Sequence, residues 1–322
     1  MRTFPKPVVV ASRCFEFDAC RYNGQTIPDN FVGALKRWVE FRPVCPELEI
    51  GLGVPRDPVR IVSKGGERRL IQPATGRDLT ALMRGFSARF LGGLTEADGF
   101  ILKSRSPSCG LSDAKEFPGP YGEVASGKGA GFFAGAVLER FPGLAVEDEG
   151  RLRNFRIREH FLTKLYTLAR FRGVKNAGTA SALINFHTEN KLLLMSYSRK
   201  ELRTLGRITA NSDEKPPGEA IAAYGERLGH ALASPRKRPS SINVLMHALG
   251  YFSDRLTGRE KAHFLDLLAA YREERIPLSA VLAVLESWVI KYEQEYMGRQ
   301  TFFEPYPRAL TELPDSGNGR DF

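Results

Sequence analysis

Pro7-Val8-Val9-Val10-Ala11-Ser12 is a short apolar, β-branched run and reads as a strand. Phe31–Phe41 follows it with Phe31, Leu35, Trp38 and Val39 at helical spacing, and Val44–Cys45 closes a second extended segment stopped by Pro46. Pro58–Val62 and Arg68–Gln72 flank a Lys64-Gly65-Gly66 turn and read as a hairpin. Asp78–Leu94 is helical, with Leu79, Leu82, Met83, Phe86 and Phe90 on one side; Gly99–Leu102 is the next strand and Gly131–Phe141 the next helix. Strands separated by helices imply an α/β domain, a mainly parallel sheet with helices on both faces.

From Asn154 the texture changes to long helical patterns without strands. These cover Asn154–Arg172, Ala180–Ser196, Arg199–Ala210, Gly218–Leu232, Ser241–Leu256, Gly258–Glu274 and Leu278–Met297. An all-α domain over residues 146–322 is therefore expected behind an α/β domain over residues 1–145, with Pro142–Gly150 as the junction. No internal repeat is visible, and the polar tail Pro314–Phe322 is expected to fray.

The 322 residues suffice for two cores, and 42% hydrophobic with 26% charged residues excludes wholesale disorder. There is no apolar run long enough to span a bilayer, and Met1–Lys6 leads into Val8 without a signal-peptide pattern, so a cytoplasmic protein off the membrane is expected. Of the net charge of +10, residues 151–322 hold +8, an excess that points to a polyanion such as nucleic acid. Arg151, Arg153, Arg156, Arg158, Lys164, Arg170, Arg172 and Lys175 stand against the single acid Glu159, and Arg236-Lys237-Arg238 forms a second cluster. Part of the first set, at positions 151, 158 and 172, is expected to share a helical face towards an RNA backbone. No protein partner is indicated.

All four cysteines, Cys14, Cys20, Cys45 and Cys109, lie in the first third of the chain. Cys14 follows the first strand, Cys45 closes the second and Cys109 follows the strand Gly99–Leu102, so the three converge where ligands collect on an open α/β sheet. Their separations, 31 and then 64 residues, match neither a zinc ribbon nor a Cys-x-x-Cys centre. The five histidines, His160, His187, His230, His247 and His263, are all in the helical half; His187 and His247 are expected to serve its core. Three thiolates without a fourth protein ligand suit an iron–sulfur cluster with one iron open. Free cysteine is equally a small buried hydrophobe, and composition alone does not choose. The neighbours tilt the balance: Cys45-Pro46-Glu47 sets a carboxylate beside one thiol, and Ser106-Pro107-Ser108-Cys109-Gly110 sets two hydroxyls beside another, each segment stiffened by proline. Gly127-Lys128-Gly129 lacks full phosphate-loop spacing and reads as an ordinary helix start.

Three blocks resemble the signature of the TudS thiouracil desulfidase family: Cys14 through Cys20-Arg21-Tyr22-Asn23-Gly24; Pro43-Val44-Cys45-Pro46-Glu47 with Gly51-Leu52-Gly53-Val54-Pro55-Arg56; and Lys103 through Gly110. The helical half is similar to the YbgA-type domain, in Phe186-His187, Leu205-Gly206-Arg207, Asn243–His247 with Gly250-Tyr251-Phe252, Ile276-Pro277-Leu278 and Gln300 with Pro305-Tyr306-Pro307. The fused arrangement resembles the RudS type, desulfidases acting on 4-thiouridine in transfer RNA.

The resemblance implies a [4Fe-4S] cluster held by Cys14, Cys45 and Cys109, whose fourth iron takes the substrate's sulfur while water attacks the pyrimidine carbon, without net redox change, and hydrogen sulfide is released. Glu47 is the expected general base or acid and Ser106 the group that bonds substrate or water, with Ser108 beside it. Lys103, Arg21 and Arg56 are expected to reach a nucleotide phosphate, and Cys20 to be a supporting thiol. Phe15–Ala19 departs from the Leu-Leu-Gly usual in the family and alters the pocket lining. The function expected is desulfuration of 4-thiouridine in transfer RNA, docked through Arg151, Arg153, Arg156, Arg158, Arg236, Lys237 and Arg238. One alternative is a desulfidase of free thiouracil or 4-thiouridine monophosphate; another is a non-enzymatic RNA-binding protein with a structural metal site.

Overall fold

Val8–Ser12 forms β1, and all five residues are buried, because strands lie on both sides of it and side chains pack on both faces. The computed structural model describes residues 2–121, 124–210 and 214–311; the tail Pro314–Phe322 lies outside them. After β1 come α1 (Asn30–Leu35), β2 (Glu40–Val44), α2 (Pro46–Glu49), β3 (Arg60–Lys64), β4 (Glu67–Gln72), β5 (Arg77–Asp78), α3 (Thr80–Gly92), β6 (Gly99–Leu102), β7 (Ala114–Phe117), β8 (Gly127–Gly129), α4 (Phe132–Arg140) and β9 (Ala145–Asp148). A four-stranded sheet has the order β2-β1-β6-β9 with every neighbour parallel. A second sheet, β5-β4-β3-β7-β8, is mixed.

One face of the parallel sheet, through Val10, Phe100 and Leu102, shares a core with Met83, Phe86 and Leu91 of α3 and Phe133 and Val137 of α4. On β6, Gly99 makes the close approach of α5 (Phe155–Ala177) possible: a β-carbon there would lie 2.9 Å from Leu165 Cδ1 and 2.6 Å from the Ala145 carbonyl oxygen. The expected α/β class with a parallel sheet is thus what the chain adopts.

Several local readings differ. The helix expected over Phe31–Phe41 ends at Leu35, and Glu40–Val44 is extended against β1; Pro43 disfavours helix at Arg42 and is tolerated because β2 is a sheet edge. Gly127-Lys128-Gly129 does not start a helix but pairs with β7 as β8, and α4 begins at Phe132. The expected 58–72 hairpin is β3–β4, but its extension into a five-stranded sheet was not foreseen. The sequence-based junction 145/146 falls within β9, which carries two acids among its four residues and does not stand out as an apolar run.

By contacts, the chain divides into two compact units, built chiefly from Pro5–Ala169 and from Arg170–Arg308, so the division lies inside α5. The second unit continues with α6 (Ala180–Tyr197), α7 (Arg199–Ala210), α8 (Pro217–Ala231), α9 (Arg238–Gly250), α10 (Gly258–Arg272), α11 (Leu278–Lys291) and α12 (Glu295–Gly298). Its core joins Leu192 and Leu193 of α6, Val244 and Leu245 of α9, Phe264 and Leu268 of α10, and Leu285 and Trp288 of α11. Gln300 is fully buried and crosslinks this core, accepting from Leu192 N at 3.1 Å and donating to the Thr188 carbonyl at 2.8 Å. The helix expected over Leu278–Met297 is broken after Lys291, where Glu293 takes a left-handed φ of 50°. No helix among the described residues is long and apolar enough to cross a membrane.

Candidate active site

The parallel neighbours β2, β1 and β6 end on one edge of the sheet, and each end delivers a thiol. Cys14 lies two residues beyond β1, Cys45 directly follows β2 and precedes α2, and Cys109 sits in the loop after β6. These three, with Cys20, line one cavity of about 360 Å³ together with Glu47, Arg56, Lys103, Arg21 and Ser106. This is where an open α/β sheet binds ligands, because the loops at the carboxyl ends splay apart there.

The Cys109 loop is held at every step of its path. Lys103 N donates to Ser12 Oγ at 2.9 Å, Ser104 N and Oγ donate to Glu149 at 2.8 and 2.7 Å, and Arg105 N donates to Asp113 Oδ1 at 2.7 Å. Ser106 Oγ then accepts from the amides of Ser108 and Cys109, at 3.2 and 3.0 Å. The first amides of α4 complete the clamp: Phe132 N donates to the Pro107 carbonyl, and Phe133 N and Ala134 N to that of Ser108, at 2.9–3.0 Å. Gly131 permits it, since a β-carbon there would fall 2.6 Å from the Ser108 carbonyl and 2.9 Å from Cys109 N. Ser12, Asp113 and Glu149 were absent from the sequence-based site, and Glu149 is brought to it by the pairing of β9 with β6, which no apolar run in the sequence signals.

Glu47 is fixed at both carboxylate oxygens. Arg56 Nε and Nη2 donate to Oε2 at 2.8 and 2.7 Å, and Ser108 Oγ donates to Oε1 at 2.9 Å. Three of the four thiols, Cys20, Cys45 and Cys109, are pushed up from the ordinary thiol value in the metal-free chain. Burial pushes Cys109 up to about 12, opposed by hydrogen bonds from Ser12 and Ser106. A hydrogen bond with Cys14 raises Cys20 to about 11, and one with Cys20, followed by burial, raises Cys45. Cys20 lines the same cavity as the other three thiols.

Among the described residues, no three His, Cys, Asp or Glu side chains gather around a single ion position. Four thiols, soft donors of the kind that hold iron–sulfur clusters, line a cavity of this size.

The remaining expected contacts are distributed as follows. Lys103 Nζ is ion-paired with Glu149, and Arg21 lies 5.2 Å over the ring of Tyr22. Arg151 is not in α5 but in a preceding turn, paired with Glu147 at 2.7 Å. Arg153 and Arg156 are exposed, whereas Arg158 is buried with its guanidinium over Phe31, so the expected shared face is not continuous. In the other unit, Lys237 is exposed, Arg236 lies 5.9 Å over Phe302, and Arg238 pairs with Glu274. His187 bonds Tyr224 Oη at 3.0 Å in a buried aromatic group with Phe171 and Phe186, the core role expected of it.

Residues 9–149 match the family model for 2-thiouracil desulfurase, and residues 191–307 match that of a protein of unknown function, DUF1722. The chain is 34% identical to the uncharacterized protein YbbK of Bacillus subtilis over 110 residues, 32% of this chain and 73% of that one. It is 28% identical to the uncharacterized protein YbgA of Escherichia coli over 151 residues, 46% of this chain and 89% of that one. Among solved structures, the [4Fe-4S]-dependent thiouracil desulfidase TudS aligns with 28% identity and a TM-score of 0.37, covering 46% of this chain and 93% of that one. With its cysteine-lined α/β unit matched over 9–149 and its helical region over 191–307, the chain belongs to the 2-thiouracil desulfurase family, in a form fused to a DUF1722 region.

Proposed function

We propose that the cavity is a desulfidase centre in which Cys14, Cys45 and Cys109 hold a [4Fe-4S] cluster, and that the protein converts 4-thiouridine in transfer RNA to uridine with release of hydrogen sulfide. The observation that carries this reading is the meeting of three thiols from adjacent parallel strand ends with one anchored carboxylate, Glu47, on a single cavity. Membership of the family supports the reaction class.

Bound there, the cluster supplies an iron without a protein ligand, a Lewis acid for the substrate's sulfur. The net change is C=S plus water to C=O plus hydrogen sulfide, with no electron transfer. Glu47 takes the proton of the attacking water and returns one to the departing sulfur. Ser106 lines the cavity, and its hydroxyl, which faces the Cys109 thiol in the metal-free chain, is the group that bonds substrate or water. Arg21, lining the cavity, is positioned to meet a phosphate. The exposed cations Arg153, Arg156 and Lys237 supply sequence-independent attraction for an RNA backbone, and the target base must be flipped out to reach the cavity.

The test is anaerobic reconstitution of the full chain, followed by the near-ultraviolet thiocarbonyl absorbance of transfer RNA containing 4-thiouridine, with Cys109→Ala as control. Loss of absorbance that requires Cys109 and is faster on transfer RNA than on 4-thiouridine monophosphate or thiouracil supports the proposal. Turnover of the small substrates alone identifies a free-nucleobase or nucleotide desulfidase. A loaded protein inert on all of them, yet binding RNA, leaves the structural-metal reading.

A further inference from the structure

Arg56 lines the cavity, and its sequence suggested a phosphate ligand. A phosphate-binding guanidinium presents an open edge without a competing carboxylate. Arg56 presents neither. Its side chain is only 7% exposed; Nε and Nη2 are spent on Glu47 Oε2 at 2.8 and 2.7 Å, and Nη1 donates to the carbonyls of Cys20 at 3.0 Å and Gly53 at 3.3 Å.

We infer that Arg56 is a positioning residue that acts through Glu47, holding the carboxylate in one orientation beside the thiols, and that it does not bind the substrate's phosphate. This rests on the desulfidase reading above. Arg56 fixes Oε2 and Ser108 fixes Oε1, so the carboxylate plane is set by two groups from different segments and one lone pair, on Oε1, is left for the reaction. The Nη1 bonds to the Cys20 and Gly53 carbonyls satisfy the rest of the guanidinium and leave no edge of it open to a phosphate. A lysine reproduces the charge but not this fork.

The experiment uses full-length, anaerobically loaded protein as wild type, Arg56→Met, Glu47→Gln and the double variant, assayed on 4-thiouridine and on 4-thiouridine 5′-monophosphate with iron per chain measured alongside. Arg56→Met is expected to lower kcat on both substrates by the same factor, about 10- to 100-fold, at unchanged iron content. On the Glu47→Gln background it should add less than about twofold, because the group it acts through is already gone. A loss confined to the monophosphate, losses that multiply in the double variant, or loss of iron from Arg56→Met would each overturn the inference, in favour of a phosphate ligand, an independent role or a scaffold role respectively. Thermal unfolding of the same four proteins without cluster reads the pair itself. The double variant should melt where the less stable single variant does, and additive shifts would refute the pairing even if the wild type proved inactive, a result that would separately end the desulfidase reading.

Discussion

Ser108 donates its hydroxyl to Glu47 Oε1 at 2.9 Å, joining a loop to α2 across 61 residues of chain. The bond links the Cys109 loop to the segment that begins with Cys45, so the geometry of two expected ligands is coupled through one carboxylate. Ser108 is 1% exposed, out of reach of bulk water, and the bond is therefore not replaced when it is lost.

Ser108→Ala should consequently slow desulfuration about tenfold while lowering stability by about 1 kcal/mol. Single-turnover rates with a parallel melting curve test this; an unchanged rate would show that Arg56 alone orients Glu47.

Gly131→Ala places a β-carbon 2.6 Å from the Ser108 carbonyl, where backbone rather than a yielding side chain must move. The expected cost is about 1–3 kcal/mol together with reduced iron content after reconstitution, because the displaced segment carries Cys109. Thermal midpoint and iron per chain are the two readouts.

The metal-free Cys109 thiol makes stability fall in alkali. Burial raises Cys109 from 9.0 to about 12, so the folded state holds this proton more tightly than the unfolded chain. Its contribution is complete below pH 9 and is lost as pH rises towards 12. Melting of cluster-free protein across that range should decline more steeply for the wild type than for Cys109→Ala.

Glu149 has the opposite sign. Burial pushes its carboxyl up, but hydrogen bonds from Lys103 and Ser104 outweigh burial and hold it below the ordinary carboxylate range. The stabilisation is present above pH 4.5 and is lost as pH falls through and below that value. Glu149→Gln should cost about 1–3 kcal/mol at neutral pH and flatten the acid limb of the stability profile, measured by urea unfolding at several pH values.

Legibility followed the range of the interactions. Arg199–Ala210 is a helix with the expected ends because its amphipathic period and the preceding Ser198 are local features. The cysteines were legible as a group because strand ends, readable one at a time, lie together in any open parallel sheet. Trp38 and Val39 misled, for they continue a helical period while the chain gains more by pairing Phe41 and Arg42 with Val9 and Val10. Gly127–Gly129 has no periodicity at all, and its strand exists because β7 offers an open edge.

From the sequence alone, the α/β class, the helical second half and the three thiols at strand ends followed, since hydrophobic period and residue placement act within one element. Tertiary structure decided what each charge near those thiols does. Arg56, Lys103 and Arg158 look alike as solvated cations in the chain, yet one is spent on Glu47, one on Glu149 and one under Phe31. The partners lie on segments brought together only when the chain folds, and a buried charge takes its role from the partner it meets there rather than from its neighbours in sequence.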